Sequence, residues 1–481
     1  MDLNGVTSLI FKKVAYFETL LEDEMKIQEI HKKQRAFFKT QQSKNVLFRK
    51  DSLKRFQSVL QQEEKAITTA LKQDLGKAEF EAYLTEYYVV MAELKTMLKN
   101  LELWSKPKRV KSSLLNFPSK DYLIPEPYGN LLQISPWNYP FQLSLATVVG
   151  AVAAGNTVVL KPSEHAPKTA ALLAQLVEKA FEPEHVTVVN GDASTAKELL
   201  DLRWDHIMFT GSTHIGKIIA KAAAEHLTPT ILELGGKNPC VVDQTAPIQL
   251  TAKRIVWGKY VNCGQTCIAP DYLLVQKGIK DQLLEAIVKE IKAAYGEDAA
   301  SSSSYGRIAH QKHFDRLVDM IKNETLIHGG NNDAKSRYLE PTLLEVNDSN
   351  HPTMQEEIFG PILPVICYEK EEEIHAIIEQ FERPLGFYVF SKRKKFIQQM
   401  FAQYSYGGGV ANDTMIQFAN DKLPFGGVGH SGIGAYHGKY SFDAFTHYKP
   451  FIQRGTWNDP SIRYAPFPTN FDWLKKLLNR I

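Results

Sequence analysis

Cys267 lies in Val261-Asn262-Cys263-Gly264-Gln265-Thr266-Cys267-Ile268-Ala269, and 34 positions earlier Glu233 opens Glu233-Leu234-Gly235-Gly236-Lys237. A thiol can add to a carbonyl carbon and hold it covalently, and a nearby carboxylate can later activate the water that releases the acyl group. Together they suggest oxidation of an aldehyde. Asn138, in Ser135-Pro136-Trp137-Asn138-Tyr139-Pro140, offers an amide donor that cannot titrate away and suits a developing oxyanion. A polar turn residue is the plainer explanation of that asparagine.

These side chains need a framework. From Asn130 onward short apolar strands alternate with helices: Leu131 to Ile134, Thr157 to Leu160, Val186 to Val189 and His206 to Phe209, each followed by a helix. The alternation predicts a parallel sheet covered on both faces, as in dinucleotide-binding domains. A further strand, Pro229 to Leu232, would deliver Glu233 at its carboxyl end, where open α/β sheets place their ligands. Beyond Lys237 a second series begins, with a helix over Ile248 to Tyr260, a turn bearing Gly264 and Cys267, and a strand near Tyr272 to Val275.

Upstream, Ile10, Val14, Phe17 and Leu21 recur at helical spacing, and a charged helical pattern runs from about Ile27 to Leu71 with breaks near Ser43 and Gln62. Lys106 to Pro127 reads as an exposed arm or hairpin. Leu143 to Ala154 is too short and too interrupted to span a bilayer and reads as a buried helix. At the carboxyl end Phe471, Leu474, Leu477, Leu478 and Ile481 form an apolar face opposite Lys475, Lys476 and Arg480, an amphipathic helix of about three turns. Subunit packing explains that face; weak interfacial membrane contact is a lesser alternative, because one short helix binds marginally.

Other motifs divide between chemistry and structure. Gly211-Ser212-Thr213-His214-Ile215-Gly216-Lys217 opens a helix after a strand, so its backbone N–H groups can face a pyrophosphate, although it is neither GxGxxG nor a P-loop. Lys161 and Glu164 follow the strand Thr157 to Leu160, where they would meet ribose hydroxyls or form an ordinary ion pair. Glu357 and Phe359, in Glu356-Glu357-Ile358-Phe359-Gly360-Pro361, would hold a ribose and pack on a flat ring, or be a solvated acid and a core ring.

Composition narrows the classes. With 57 basic and 54 acidic residues the net charge is +3, which leaves no footprint for nucleic acid. At 481 residues and 44% apolar content, two or more domains are expected. Four scattered cysteines make no disulfide framework, which points to a reducing, cytoplasmic setting, and the first residues lack the pattern of a secretory signal. The CxxxC spacing of Cys263 and Cys267, without a second ligand pair, argues against metal.

Six ordered motifs, Pro136-Trp137-Asn138, Lys161-Pro162-Ser163-Glu164, the Gly211 to Gly216 turn, Glu233 to Lys237, Gly264-Gln265-Thr266-Cys267 and Glu357-Ile358-Phe359-Gly360-Pro361, together resemble the aldehyde dehydrogenase superfamily. The context Cys267-Ile268-Ala269-Pro270-Asp271-Tyr272, with Pro424-Phe425-Gly426-Gly427 and Gly434-Ala435-Tyr436-His437-Gly438-Lys439, looks like its class 3 branch of fatty and aromatic aldehyde dehydrogenases. The resemblance implies an α/β subunit with a Rossmann-like NAD(P)-binding domain (25–105 and 128–235) and a catalytic domain (236–405). It adds an oligomerisation element (106–127 and 406–450), a tail (451–481), and leaves 1–24 as an extension upstream of the usual start. It implies that Cys267 attacks the aldehyde, Asn138 and the Cys267 backbone N–H stabilise the oxyanion, and Glu233 is the base.

By the same resemblance Lys161 and Glu164 bind the adenosine ribose, Gly211, Ser212 and Gly216 the pyrophosphate, and Glu357 and Phe359 the nicotinamide end, with Trp137 also among the cofactor-binding residues. NAD is favoured over NADP, because a carboxylate at 164 repels a 2′-phosphate. A homodimer and medium or long aliphatic or aromatic aldehydes are implied. The alternatives are an acylating, coenzyme A-dependent enzyme and a catalytically silent NAD-binding scaffold; the joint presence of Cys267, Glu233 and Asn138 disfavours both. Cys263 adds a second thiol that could pair reversibly with Cys267.

Overall fold

The structure, a computed structural model, describes residues 26–347 and 349–479. The apolar spacing from Ile10 to Leu21 lies outside them. A helix over 26–39 precedes Val46–Gln62 and Glu64–Leu75, so the expected breaks fall at a short 3-10 turn, Gln42–Lys44, and at Glu63. Asn45 accepts from the N–H groups of Leu47 and Phe48 and so starts one helix, while Gly76, at φ 67, ends the next. The following helical stretch, 79–104, widens into a π-helical turn at Tyr83–Tyr87.

The first large sheet has the order Gly432–Ile433, Thr230–Glu233, His206–Thr210, Asn130–Ile134, Thr157–Lys161, Val186–Val188. All neighbours are parallel except Gly432–Ile433, which runs antiparallel beside Thr230–Glu233. Every residue of Asn130–Ile134, Thr157–Lys161 and His206–Thr210 is buried, as expected for parallel strands with both faces covered. The chain leaves Asn130–Ile134 in one direction and later returns to its other side, so strand order reverses between Asn130–Ile134 and His206–Thr210. That reversal makes a crevice at the carboxyl ends of the strands. The helix Gln142–Ala154, all 13 of its residues buried, packs among the covering elements.

The second sheet has seven strands, in the order Leu326–His328, Thr342–Glu345, Ile362–Tyr368, Tyr272–Gln276, Pro239–Val242, Gly386–Phe390, Gly408–Ala411. Only the first is antiparallel to its neighbour. Each large sheet is surrounded by its own apolar core, one centred on Val241, Leu274 and Ile366 and the other on Leu131, Leu145 and Val158.

A third, antiparallel sheet is the arm: Lys108–Val110, Ser119–Pro127 and Thr446–Arg454, with Ser119–Pro127 in the centre. Residues 406–450 do not form one element with it. Gly408–Ala411 closes the second sheet, Gly432–Ile433 edges the first, and the arm strand begins at Thr446 and runs on to Arg454. The glycines explain this division: a Cβ on Gly427 would lie 2.0 Å from the Ser431 carbonyl oxygen, so the segment is built on backbone contact and adds its strands to existing sheets. The carboxyl-terminal helix is Asp472–Leu478, seven residues and about two turns rather than three. The side chain of Leu477 and all of Ile481 lie outside the described residues. Among the described residues no helix is long and apolar enough to cross a membrane.

Candidate active site

The helix Ile248–Tyr260 hands the chain to a tight loop in which Asn262, Cys263 and Gly264 all have positive φ, 52, 53 and 71°. Such backbone is costly for non-glycine residues and persists where its surroundings hold it. Here the hold is visible. The Gln265 side chain donates to the carbonyls of Asn262 (2.9 Å) and Arg307 (3.1 Å) and accepts from the Ala309 N–H (2.9 Å). Gly264 presses on the Glu357 loop, where a Cβ would come within 2.3 Å of the Gly360 oxygen. The loop ends at Cys267, the only residue between 262 and 275 that is not buried. Asn238 fixes the turn beyond it by donating to the carbonyls of Cys267 (2.8 Å) and Ala269 (2.9 Å).

Two carboxyl groups converge on that thiol. Burial first, then the charges of Glu357 and Glu233, push the Cys267 thiol well up, against backbone N–H groups of Cys267 and Ile268 that favour the thiolate. Glu233 ends the strand Thr230–Glu233, is 2% exposed, and neither of its carboxylate oxygens has a protein hydrogen-bond partner. Burial holds its carboxyl well above the usual range. Glu357 rises to about 8, through burial and the neighbouring Asp271 charge. A Cβ on Gly235 would stand 1.8 Å from a Glu357 carboxylate oxygen, so this glycine gives the side chain its place.

Asn138 follows the strand Asn130–Ile134 in a buried loop. Its Nδ2 donates to the Gln265 carbonyl (3.0 Å), two residues before the thiol, and its own carbonyl accepts from Asn262 Nδ2 (2.8 Å) and Lys77 Nζ (3.1 Å). Beside it, the Tyr139 hydroxyl pairs with Thr266 Oγ1 at 2.7 Å. The amide is therefore anchored directly onto the Cys267 loop.

The remaining candidates lie along the same sheet edge. Lys161 is the last residue of its strand and forms the plain ion pair with Glu164, Nζ to Oε2 2.8 Å, with 4% and 37% of the side chains exposed. Burial acts to raise the Glu164 carboxyl, and the Lys161 hydrogen bond and charge overcome it and hold it below its usual value. Gly211 and exposed Ser212 stand between the strand His206–Thr210 and the helix Thr213–Glu225, which Ser212 caps, while Gly216 is buried with room for no Cβ against Leu234 (2.6 Å). Trp137 meets Phe359 edge to face, ring centroids 5.4 Å apart.

These groups fit a dinucleotide. There is a carboxylate whose second oxygen can accept from ribose hydroxyls, a capped helix start at a strand end for phosphates, and a half-buried aromatic pair near the thiol. Among the described residues no group of three or more His, Cys, Asp or Glu is placed to hold a metal ion.

Sequence reasoning missed the supports. Lys237 pairs with Asp271 and donates to the carbonyls of Thr353 (2.7 Å) and Glu356 (3.1 Å), and Asp271 accepts from the Ile358 N–H (3.0 Å). Arg316 holds the same loop through Glu356 (2.6 Å) and the carbonyls of Glu357 (3.3 Å) and Ile358. Buried charge pairs join residues far apart in the chain, and no local pattern marks them. Cys263 has surroundings unlike those of Cys267: it is buried, with Tyr305, Gly306 and Glu81 for neighbours, and burial pushes its thiol up. Burial raises both thiols, and what separates them is access: Cys263 is 1% exposed, whereas Cys267 is partly exposed.

Residues 13–451 match the aldehyde dehydrogenase family. A 4,4'-diaponeurosporen-aldehyde dehydrogenase of Staphylococcus aureus is 44% identical over 92% of this chain and 96% of its own length. A dimeric NADP-preferring aldehyde dehydrogenase of Rattus norvegicus is 44% identical over 92% of this chain and 98% of its own. The solved structure of Staphylococcus aureus AldH in a substrate-bound state superimposes with TM-score 0.92 at 43% identity, covering 94% of this chain and 99% of that one.

Proposed function

The chain belongs to the aldehyde dehydrogenase family, in its class 3-like branch, and is an NAD(P)-dependent enzyme that oxidises aldehydes to carboxylic acids; from that premise we propose that Cys267, Glu233 and Asn138 carry the reaction. The observation behind this assignment is the convergence of Glu233 and Glu357 on the one partly exposed thiol of an otherwise buried loop, with Asn138 anchored two residues before it.

Cys267 adds through sulfur to the aldehyde carbon. The new oxyanion receives hydrogen bonds from the second N–H of Asn138 and from the Cys267 backbone N–H. Bound NAD(P) supplies the hydride acceptor. Once the thiohemiacetal is oxidised to a thioester, Glu233 takes a proton from water, the hydroxide adds to the acyl carbon, and the carboxylic acid leaves as the Cys267 thiolate is restored. The buried, unpartnered Glu233 carboxylate suits this task, because its raised proton affinity makes it a stronger base when it is ionised.

Lys161 and Glu164 hold the adenosine ribose, Gly211, Ser212 and Gly216 the pyrophosphate, and Trp137, Glu357 and Phe359 the nicotinamide end. Glu164 favours NAD, with NADP accepted. Residues 25–105 and 128–235 form the cofactor domain and 236–405 the catalytic domain. The substrates are medium or long aliphatic and aromatic aldehydes; the Staphylococcus aureus relative is named a 4,4'-diaponeurosporen-aldehyde dehydrogenase.

The protein works as a homodimer through the arm. Thr446–Arg454 is an edge strand of nine residues, paired on one side only, with Phe451 and Ile452 half exposed on opposite faces. The relative from Rattus norvegicus carries the word dimeric in its name. The test of the chemistry is NADH formation from decanal or benzaldehyde without coenzyme A, beside the Cys267→Ala protein. Loss of NADH in the variant supports the assignment; equal rates in the two proteins, or a strict need for coenzyme A, overturn it.

A further inference from the structure

Far from the motifs, a fully buried ion pair touches the oxyanion loop. Lys77 follows the left-handed Gly76 that ends the helix Glu64–Leu75, and Glu86 sits in the π-helical turn Tyr83–Tyr87; both side chains are 0% exposed and their charged atoms are 2.5 Å apart. Burying two charges is expensive, and an ion pair alone rarely repays it. The remaining capacity of both groups is spent on one loop. Lys77 Nζ donates to the Asn138 carbonyl at 3.1 Å and lies 3.9 Å from the centroid of the Tyr139 ring, whose hydroxyl reaches Thr266. Glu86 Oε2 accepts from the N–H groups of Phe141 (2.9 Å) and Gln142 (3.2 Å). Those N–H groups open the helix Gln142–Ala154, which has no cap from its own N-terminal residue. Loop 138–142 is thus gripped at both ends by one pair. The π turn belongs to the same device: one extra residue in the turn shifts the register of the side chains that follow, and such bulges cluster at functional sites.

We infer that Lys77, set in place by Glu86, is a positioning residue for the Asn138 amide. The carbonyl of Asn138 accepts from Lys77 and Asn262, and its side chain donates to the Gln265 carbonyl, so backbone and amide are both tied down. With both fixed, the free N–H of the amide keeps one direction, which an oxyanion donor requires before charge develops. No proton or electron moves through Lys77. Its influence passes through the backbone of residue 138, and the inference rests on the reading of Asn138 as the oxyanion donor.

The test is a double-mutant cycle on the full-length enzyme with decanal and NAD. Lys77→Met is combined with Glu86→Gln, so that no buried charge is left alone, and the combination is placed in the wild-type and in the Asn138→Ala backgrounds. In the wild-type background kcat/KM falls by about 10- to 100-fold, mostly in kcat, with the aldehyde KM within about threefold. In the Asn138→Ala background the same combination costs less than about threefold, since the group being positioned is already gone. The alkylation rate of Cys267 by iodoacetamide, which builds no oxyanion, stays within about twofold of wild type throughout. Equal losses in the two backgrounds, or an alkylation rate that falls with kcat, overturn the inference and leave a merely structural pair. An Asn138→Ala enzyme with unchanged kcat/KM instead defeats the reading of Asn138 itself. Should the combination not fold, Lys77→Gln with Glu86→Gln, which keeps an N–H for the Asn138 carbonyl, runs the same cycle and retains activity within about tenfold; a loss equal to that of Asn138→Ala counts against the inference.

Discussion

Burial raises the proton affinity of both the Cys267 thiol and the Glu233 carboxyl, and the proposed chemistry needs both without their protons. For groups whose proton affinity is raised, the reactive fraction grows with pH. The kcat/KM for an aldehyde is therefore expected to rise continuously from about pH 6 to pH 9, a profile read from initial rates of NADH formation. A flat profile contradicts the assignment of Cys267; Glu233 acts after hydride transfer and is read separately. In Glu233→Gln the first half-reaction survives and hydrolysis slows by about 10²-fold or more, so rapid mixing shows a burst approaching one NADH per subunit followed by a slow steady state. Absence of that burst, with a normal steady state, removes Glu233 from the mechanism. A second buried acid bears on stability. Glu93, 2% exposed, is raised to about 7 by burial, against favourable bonds from Ser441 and the Gly438 N–H. The unfolded chain releases this proton near the ordinary carboxyl value, so the stability the group contributes is complete below that value and is lost as pH rises through about 7. Glu93→Gln keeps an acceptor for Gly438 and is expected to gain on the order of 1–3 kcal/mol above neutral pH and nothing near pH 4. Urea unfolding at the two pH values decides it.

At the scale of elements, the strands that deliver Asn138, Lys161, Gly211 and Glu233 were readable because each is a short apolar run ending in a turn, and fully buried parallel strands look like that. The nucleophile loop was readable only as a turn. Its three successive positive φ values depend on the Gln265 side chain and on Gly360 nearly a hundred residues later, contacts that no local spacing encodes. Lys77 and Glu86 are invisible for the same reason: they lie past the charged helical pattern that ends near Leu71, no spacing marks them, and only packing shows that neither is solvated. The late segment is less legible: residues 406–450 read as one glycine-rich stretch, and their strands join three different sheets. The nucleophile loop gives a sharp prediction. At Gly264 a side chain meets both a left-handed backbone, φ 71, and the Gly360 carbonyl oxygen at 2.3 Å, so Gly264→Ala must move either Cys267 or the Glu357 loop. A displacement of about 1 Å at a reacting atom costs on the order of 10²-fold in rate. The variant is expected to lose about that much kcat with a stability loss of about 1–3 kcal/mol, measured by steady-state rates and thermal melting. Near-normal kcat would mean that the packing of the two loops does not set the position of the sulfur.

Across the whole molecule, the two large sheets are each enclosed by their own helices and cores, whereas the arm has little behind it. Three strands with exposed Leu114, Leu115, Phe117 and Trp457 nearby, and with Phe451 and Ile452 half exposed on opposite faces of the edge strand, leave apolar surface that a monomer gains nothing by displaying. An unpaired edge of nine residues is also a template for another strand, and natural proteins cover or charge such edges. Thr446–Arg454 carries Lys449 and Arg454, but Lys449 is turned to Glu126 and Arg454 to Asp459, so these charges are engaged within the chain and do little to blunt the edge. Pro450 is tolerated there because an edge strand can lack one N–H. Covering by a second copy fits all three features at once. Replacing Phe451 and Ile452 together by lysine is accordingly expected to convert the dimer to monomer in sedimentation velocity at micromolar concentration while leaving kcat within about threefold, since the arm contributes none of the residues assigned to the chemistry. A wild-type protein that sediments as a monomer across the same range, or a double variant that remains dimeric, would place the subunit contact elsewhere on the molecule.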